Sequence, residues 1–143
     1  MNDPFVEALA KLPHGPEFRF LDRLIALEPG VRGEGEYAVR GDEAFLRGHF
    51  PGEPMMPGVI LLEAIAQLAG VVAQSDPNVP ELSGLKLTAI RGVKILGTAR
   101  PGEILQLRAE IRGRLSNLVH ASASVNVGDR LVLQAEVTLA GTC

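Results

Sequence analysis

The feature that most restricts this fold is an unbroken apolar segment at residues 59–74, which contains one charged side chain, Glu63. Its Leu, Ala, Glu and Gln content favours a helix, its length exceeds that of a typical strand, and Pro57 suits the first turn. A helix that is apolar on every face has to be buried on every face. In a chain of 143 residues, such burial requires either a sheet wrapped round the helix or a partner subunit, and we expect both.

Most of the remaining chain is predicted to form strands, because apolar or small residues alternate with polar ones. Turn signals at Pro101-Gly102 and Gly128-Asp129 separate the strands. A short helix is expected at residues 5–12 and strands at residues 18–27, 31–40, 85–96, 104–114, 118–127 and 131–139. The pattern predicts one α+β domain over residues 1–143, in which one face of an antiparallel sheet packs on a central helix.

Composition excludes several classes of function. The net charge of −3, with no basic stripe, argues against nucleic acid binding. The apolar segment is too short to cross a bilayer and contains Glu63, and the N-terminus lacks the order of a secretory signal. The single cysteine, Cys143, excludes a disulfide framework or a thiolate metal cluster and suits a reducing cytosol. A soluble, cytoplasmic protein is therefore predicted.

Two ionisable residues stand in an otherwise apolar part of the chain. His49 lies in a loop stiffened by prolines, and Glu63 follows about one and a half turns into the predicted helix. Histidine titrates near neutrality, and apolar surroundings favour the protonated form of a carboxyl group. Such a base and acid suit elimination of water, and free backbone N–H groups near Gly58 can polarise a carbonyl oxygen.

Simpler interpretations of the same residues stay open at this point. A loop histidine is usually structural or solvated, and a buried glutamate can be the ion-pair partner of an arginine from a neighbouring strand. His14 and His120 are expected to be structural residues. The residues by themselves indicate an acid–base site without identifying the reaction.

A longer motif resembles a known family. The motif reads Gly48-His49-Phe50-Pro51-Gly52-x-Pro54-x-Met56-Pro57-Gly58-Val59 and is followed by Glu63-Ala64-x-Ala66-Gln67. It resembles the signature of bacterial 3-hydroxyacyl-[acyl-carrier-protein] dehydratases of the FabZ type. Weaker similarities lie at Leu12-Pro13-His14, Pro101-Gly102-Glu103 and residues 134–139. The resemblance therefore extends over nearly the whole chain.

The resemblance implies a hotdog fold, in which a curved antiparallel sheet wraps a long central helix. It also implies a homodimer or a trimer of dimers with active sites at the interface, so that His49 faces Glu63 of the partner subunit. His49 would remove the α-proton, Glu63 would assist departure of the β-hydroxyl, the Gly58 N–H would bind the thioester oxygen, and Val59 would line the tunnel. The family uses no metal or organic cofactor, and acyl carrier protein delivers its substrate for fatty acid biosynthesis.

Several details refine this expectation. Glu63, where isomerising relatives carry Asp, favours dehydration without double-bond isomerisation. Residues 94–102 lack two cations typical of the family, which leaves Arg91, Lys94 and Arg100 to steer an acidic carrier and leaves a polyketide or polyene pathway open. Acyl length is expected to depend on positions such as Leu61, Ile65 and Leu96. The alternatives are a hotdog thioesterase and a non-catalytic acyl-binding subunit.

Overall fold

The computed structural model describes residues 4–46 and 52–142. Most of these residues belong to two helices and six strands, and two short 3-10 turns occupy Pro16–Phe18 and Ala44–Leu46. The elements in chain order are α1 (Pro4–Leu9), β1 (Arg23–Glu28), β2 (Arg32–Ala38), α2 (Gly58–Gln74), β3 (Ser83–Ile95), β4 (Ile104–Leu115), β5 (Leu118–Val127) and β6 (Arg130–Thr142).

The six strands form one antiparallel sheet in the order β1-β2-β4-β5-β6-β3. Residues of β5 alternate strictly between buried and more accessible positions, because successive side chains point to opposite faces of the sheet. Val127 pairs with Arg130, so the predicted turn at Gly128-Asp129 is a two-residue hairpin, with Gly128 at a φ of 59°. The sequence-based placement of these strands is confirmed.

Helix α2 packs on the inner face of this sheet. Eleven of its seventeen residues are buried, which agrees with the apolar character of the segment. The helix lies so close to β2 that a Cβ added at Gly33 would approach Val72 Cγ2 to 2.7 Å. The predicted α+β class and hotdog arrangement are confirmed. Pro57 is the N-cap residue, with a ψ of 139°, and the helix begins one residue later.

The N-terminal region differs from the prediction in two places. Helix α1 ends at Leu9 and continues as hydrogen-bonded turns up to Leu12. The strand expected from residue 18 begins at Arg23. Phe20 is buried, but its backbone N–H donates to the Gln67 side chain instead of to a neighbouring strand. A long-range side-chain contact therefore replaces strand pairing there.

Strand β3 is an edge of the sheet and carries exposed apolar side chains. It is thirteen residues long and, among the described residues, pairs with β6 alone. Ile90, Val93 and Ile95 are 41%, 38% and 57% exposed. A long, apolar edge strand has unpaired backbone groups that favour pairing with another chain.

Candidate active site

Glu63 lies in α2, five residues after Gly58, and its side chain is 22% exposed. Its Oε2 accepts a hydrogen bond of 3.1 Å from Gln67 Nε2, one helical turn later. The same oxygen lies 3.4 Å from His14 Nε2. No arginine of the described ranges pairs with this carboxylate, so the structure does not support the simpler interpretation of a strand ion pair.

Gln67 fixes the position of the glutamate. Its side chain is 2% exposed and forms three hydrogen bonds. Oε1 accepts from the Phe20 N–H at 2.8 Å, and Nε2 donates to the Phe18 carbonyl at 2.8 Å and to Glu63. A buried amide with all these partners has little rotational freedom. The geometry of the glutamate therefore depends on the segment at residues 18–20.

His14 is the residue whose position sequence reasoning missed. Its imidazole reaches Glu63 and stacks at 6.1 Å on Phe18, while its Nδ1 is buried without a hydrogen-bond partner among the described residues. Arg19 donates to the carbonyls of His14 and Leu12 at 3.3 and 3.4 Å, which supports the turn. The motif Leu-Pro-His was the signal, but it did not indicate which side chain the histidine would meet.

His120, in contrast, lies where the sequence predicted a structural histidine. It occupies β5, with Nδ1 3.3 Å from Thr138 Oγ1 and Nε2 3.7 Å from a Glu136 carboxylate oxygen. Both partners belong to the neighbouring strand β6. This side chain takes no part in the cluster around Glu63.

Aromatic rings connect the Glu63 cluster to the segment that precedes the His49 loop. Phe18 packs edge-on against Phe20 at 5.0 Å, and Phe20 packs edge-on against Phe45 at 5.7 Å. Phe45 belongs to the 3-10 turn Ala44–Leu46. His49 itself lies outside the described residues, so the structure does not test its distance from Glu63.

A second polar cluster supports this turn from the sheet. The Tyr37 hydroxyl donates to Glu43 at 2.6 Å, and the Glu43 carboxylate also accepts from the N–H groups of Arg40 and Gly41. Burial raises the pKa of Glu43, but these hydrogen bonds outweigh it and leave the pKa below its usual value. Burial, followed by the bond to Glu43, raises the pKa of Tyr37 well above its usual value. The tyrosine therefore remains a hydrogen-bond donor over the physiological range.

Gly58 and Val59 begin α2, and Gly58 lies close to Ile95 at the end of β3. The first N–H groups of a helix have no intrahelical acceptor, so both residues offer backbone donors there. A Cβ at Gly58 would come within 3.0 Å of Ile95 Cδ1, so a side chain at this position would crowd the end of β3. The Val59 side chain is 72% exposed and does not line the cavity beside Glu63.

That cavity has a volume of about 480 Å³ and runs along α2 from Glu63. Its size is that of typical small-molecule sites. Segment 11–14 and residues 81–87 form its sides, and Leu139 of β6 contributes to its wall. Leu61 and Ile65, which were expected to control acyl length, are 1% and 0% exposed and pack in the core instead.

Two further properties concern only the described ranges. No three His, Cys, Asp or Glu side chains within residues 4–46 and 52–142 are grouped so as to hold a metal ion. Over the same ranges, no helix has the length and apolar character needed to cross a membrane.

The model of a FabA-like domain matches residues 12–136. The chain belongs to the FabA-like family. A relative named 3-hydroxyacyl-[acyl-carrier-protein] dehydratase FabZ from Chloroflexus aggregans is 38% identical over 138 residues, which covers 95% of this chain and 94% of the relative. The enzyme of the same name from Syntrophotalea carbinolica is 36% identical, covering 96% and 93%.

Solved structures support the fold of this FabA-like protein. The dehydratase heterocomplex ApeI:P from Xenorhabdus doucetiae matches with a TM-score of 0.80 at 15% identity, covering 97% of this chain and 91% of that chain. Cj0977 from Campylobacter jejuni matches with a TM-score of 0.70 at 11% identity, covering 99% and 92%. At these identities the likeness concerns the fold alone.

Proposed function

We propose that this protein dehydrates (3R)-3-hydroxyacyl chains on acyl carrier protein to trans-2-enoyl chains, in fatty acid biosynthesis or a related pathway. The observation that carries the proposal is the Glu63 carboxylate, which Gln67 and His14 hold in the wall of a cavity large enough for a small molecule. The full-length similarity to enzymes named FabZ supports the same reaction. We place the reaction in the cytoplasm, in one domain formed by residues 1–143.

The proposed reaction assigns one role to each site residue. His49 removes the α-proton, and the electron pair of that C–H bond moves into an enolate whose oxygen accepts a hydrogen bond from the Gly58 N–H. The pair then forms the Cα–Cβ double bond as the Cβ–O bond breaks. Glu63 donates a proton to the departing hydroxyl, which leaves as water. Val59, which follows Gly58 at the start of α2, borders the thioester.

The proposed functional unit is a homodimer formed through β3, with a trimer of dimers as the larger assembly. Support comes from the exposed row of Ile90, Val93 and Ile95 on an edge strand that has no second neighbour in the described sheet. A second copy of β3 would pair the free backbone groups and cover these side chains. In that dimer, His49 acts with Glu63 of the partner subunit.

The proposed carrier partner is acidic, so exposed cations near β3 are the natural docking groups. Arg91 and Lys94 are exposed and form no ion pair with the described residues. Arg100 is less available for carrier docking, because its Nη2 lies 3.2 Å from Glu53 Oε1. Charge reversal of Arg91 and Lys94 should weaken carrier binding at low salt, with a smaller effect on a pantetheine-linked substrate that needs no docking.

Dehydration is tested directly with 3-hydroxyacyl carrier protein and mass detection of water loss. His49→Ala and Glu63→Gln are each expected to abolish enoyl formation, while the His120→Ala control retains it. Full activity in either site variant would refute the assigned roles. Release of free thiol without an enoyl product would instead indicate a thioesterase, and tight binding without turnover would indicate an acyl-binding subunit.

Sharing of the site between subunits has its own test. If His49→Ala and Glu63→Gln chains are unfolded together and refolded, half of the dimers are mixed, and each mixed dimer contains one intact site. About a quarter of the activity of the unmodified protein is then expected, whereas each variant alone is inactive. Continued inactivity of mixed dimers, shown to form with two different affinity tags, would mean that both residues act within one chain.

A further inference from the structure

The two oxygens of the Glu63 carboxylate have unlike surroundings. Oε2 accepts a hydrogen bond from Gln67 Nε2 at 3.1 Å and lies 3.4 Å from His14 Nε2. Within residues 4–46 and 52–142, no group donates a hydrogen bond to Oε1. Oε1 is therefore the oxygen that remains for a ligand in the cavity that Glu63 lines.

This difference decides which oxygen carries the proton when Glu63 acts as an acid. A protonated carboxyl group has one hydroxyl oxygen and one carbonyl oxygen, and the carbonyl oxygen has two lone pairs that accept N–H donors. Oε2, with two nitrogen neighbours, is suited to be the carbonyl oxygen. The acid proton then lies on Oε1, where it can reach a leaving group.

The His14 ring offers a donor to Oε2 only if its proton is on Nε2. Its Nδ1 is buried and has no hydrogen-bond partner in the described part of the chain. A proton on Nδ1 would be a buried donor without an acceptor, whereas a proton on Nε2 has Glu63 Oε2 beside it. The unpartnered Nδ1 also argues against a proton relay through the ring, since a relay needs a neighbour at both nitrogens.

The length of the His14 contact indicates when it matters. At 3.4 Å it is long for a hydrogen bond from a ring N–H. N–H donors approach an ionised carboxylate more closely and bind it about twice as strongly as they bind a neutral oxygen. The contact therefore gains most as Glu63 gives up its proton. An interaction that strengthens during the reaction raises kcat and leaves KM little changed.

The His14 ring is held in place independently of the carboxylate. It stacks on Phe18 with the ring centroids 6.1 Å apart, and the His14 carbonyl accepts from Arg19 Nε at 3.3 Å. The Phe18 carbonyl in turn accepts from Gln67 Nε2 at 2.8 Å. One segment, residues 12–20, thus supports both groups that face Oε2 before any substrate binds, and such preorganisation makes a donor effective in catalysis.

We propose that His14 acts through Glu63 as a positioning residue: its Nε2–H and the Gln67 amide hold Oε2, which keeps the acid proton on Oε1 and stabilises the carboxylate left behind. The proton passes from Oε1 to the hydroxyl oxygen as the Cβ–O bond breaks. The O–H bonding pair stays on Oε1, the Cβ–O pair leaves with the oxygen, and water departs. This inference rests on the proposed dehydratase function and replaces the expectation that His14 has only a structural role.

Three substitutions separate the N–H group of His14 from its ring. His14→Phe keeps a ring that can stack on Phe18 but has no N–H group, while His14→Gln places an amide N–H near Nε2 and His14→Asn places one near Nδ1. The kcat for enoyl formation from 3-hydroxyacyl carrier protein should fall roughly tenfold to a hundredfold in His14→Phe and His14→Asn. His14→Gln should recover part of the loss, and KM should change less than kcat in all three.

His120→Phe and His120→Gln are the matched controls. His120 contacts Thr138 and Glu136 of β6 and not Glu63, so both variants should keep the kcat of the unmodified protein. Because Gln and Asn both remove the ring at position 14, their comparison holds even if His14→Phe destabilises the fold.

NMR of isotope-labelled histidine rings gives a second readout, which does not depend on activity. The signals of His14, identified by their loss in His14→Gln, should show a proton on Nε2. A bare Nε2 would overturn the inference, as would an unchanged kcat in His14→Phe or equal kcat in His14→Gln and His14→Asn; the proposed function would still stand. If the unmodified protein dehydrates no chain of any length, the proposed function fails and this inference fails with it.

Discussion

Replacement of Gln67 by leucine should damage both the fold and the reaction, to a degree that follows from its three hydrogen bonds. The change keeps an apolar side chain of similar size but leaves the Phe20 N–H buried without an acceptor and the Phe18 carbonyl without its donor. An unsatisfied buried group costs about 1–3 kcal/mol. Because the Phe18 carbonyl is only partly buried, we expect a total loss of about 2–4 kcal/mol.

For a domain of this size, that loss lowers the melting temperature by roughly 5–15 °C. Glu63 would also lose the donor that holds Oε2, and a misplaced catalytic carboxylate should reduce kcat by roughly tenfold to a hundredfold. Urea denaturation with an unchanged m-value would give the stability change. Enoyl formation by the folded fraction, at a temperature below both transitions, would give the change in kcat.

Gln74→Leu separates the two effects. Gln74 lines the same cavity as Gln67 and also bonds to a backbone N–H and a backbone carbonyl, both of Leu82, but not to Glu63. The Gln74→Leu protein should lose comparable stability while keeping its kcat. Equal losses of kcat in the two variants would contradict the positioning role of Gln67, and a Gln67→Leu protein with unchanged stability would contradict the hydrogen-bond argument.

Three other outcomes follow from single contacts. Tyr37→Phe should lower the free energy of unfolding by about 1–2 kcal/mol at pH 7. Hydrogen bonding in the folded state lowers the pKa of Glu43, so this deficit should narrow in urea titrations as the pH falls below the usual glutamate range and the carboxylate becomes protonated. His14→Ala should reduce kcat more than it raises KM, because His14 contacts the Glu63 carboxylate. His14→Gln should recover part of the lost kcat. An unchanged kcat in His14→Ala would exclude a role of His14 in positioning Glu63. Ile95→Glu should shift the dimer toward monomer in sedimentation velocity and abolish activity. Ile25→Glu should do neither, although Ile25 is also an exposed apolar residue (45%, against 57% for Ile95) and lies on the opposite edge strand.

The sequence by itself determined the elements whose signals are local. The strands at residues 104–115 and 118–127 follow from alternation and turn residues, and α2 follows from its apolar length. The motif around Glu63 identified the family, because it is long and specific. These features depend on neighbours within a few positions, so pattern alone predicts them.

Only the tertiary structure decided what surrounds Glu63. His14 lies far from Glu63 in the chain, and the bond from Phe20 to Gln67 joins residues 47 positions apart. That bond also explains why β1 begins at Arg23 and not at residue 18. Likewise, Gly70 and not Leu61 lines the cavity beside Glu63, because the rotation of α2 against the sheet decides which of its side chains pack in the core. Such contacts depend on how distant segments pack, and periodicity along the chain carries no information about them.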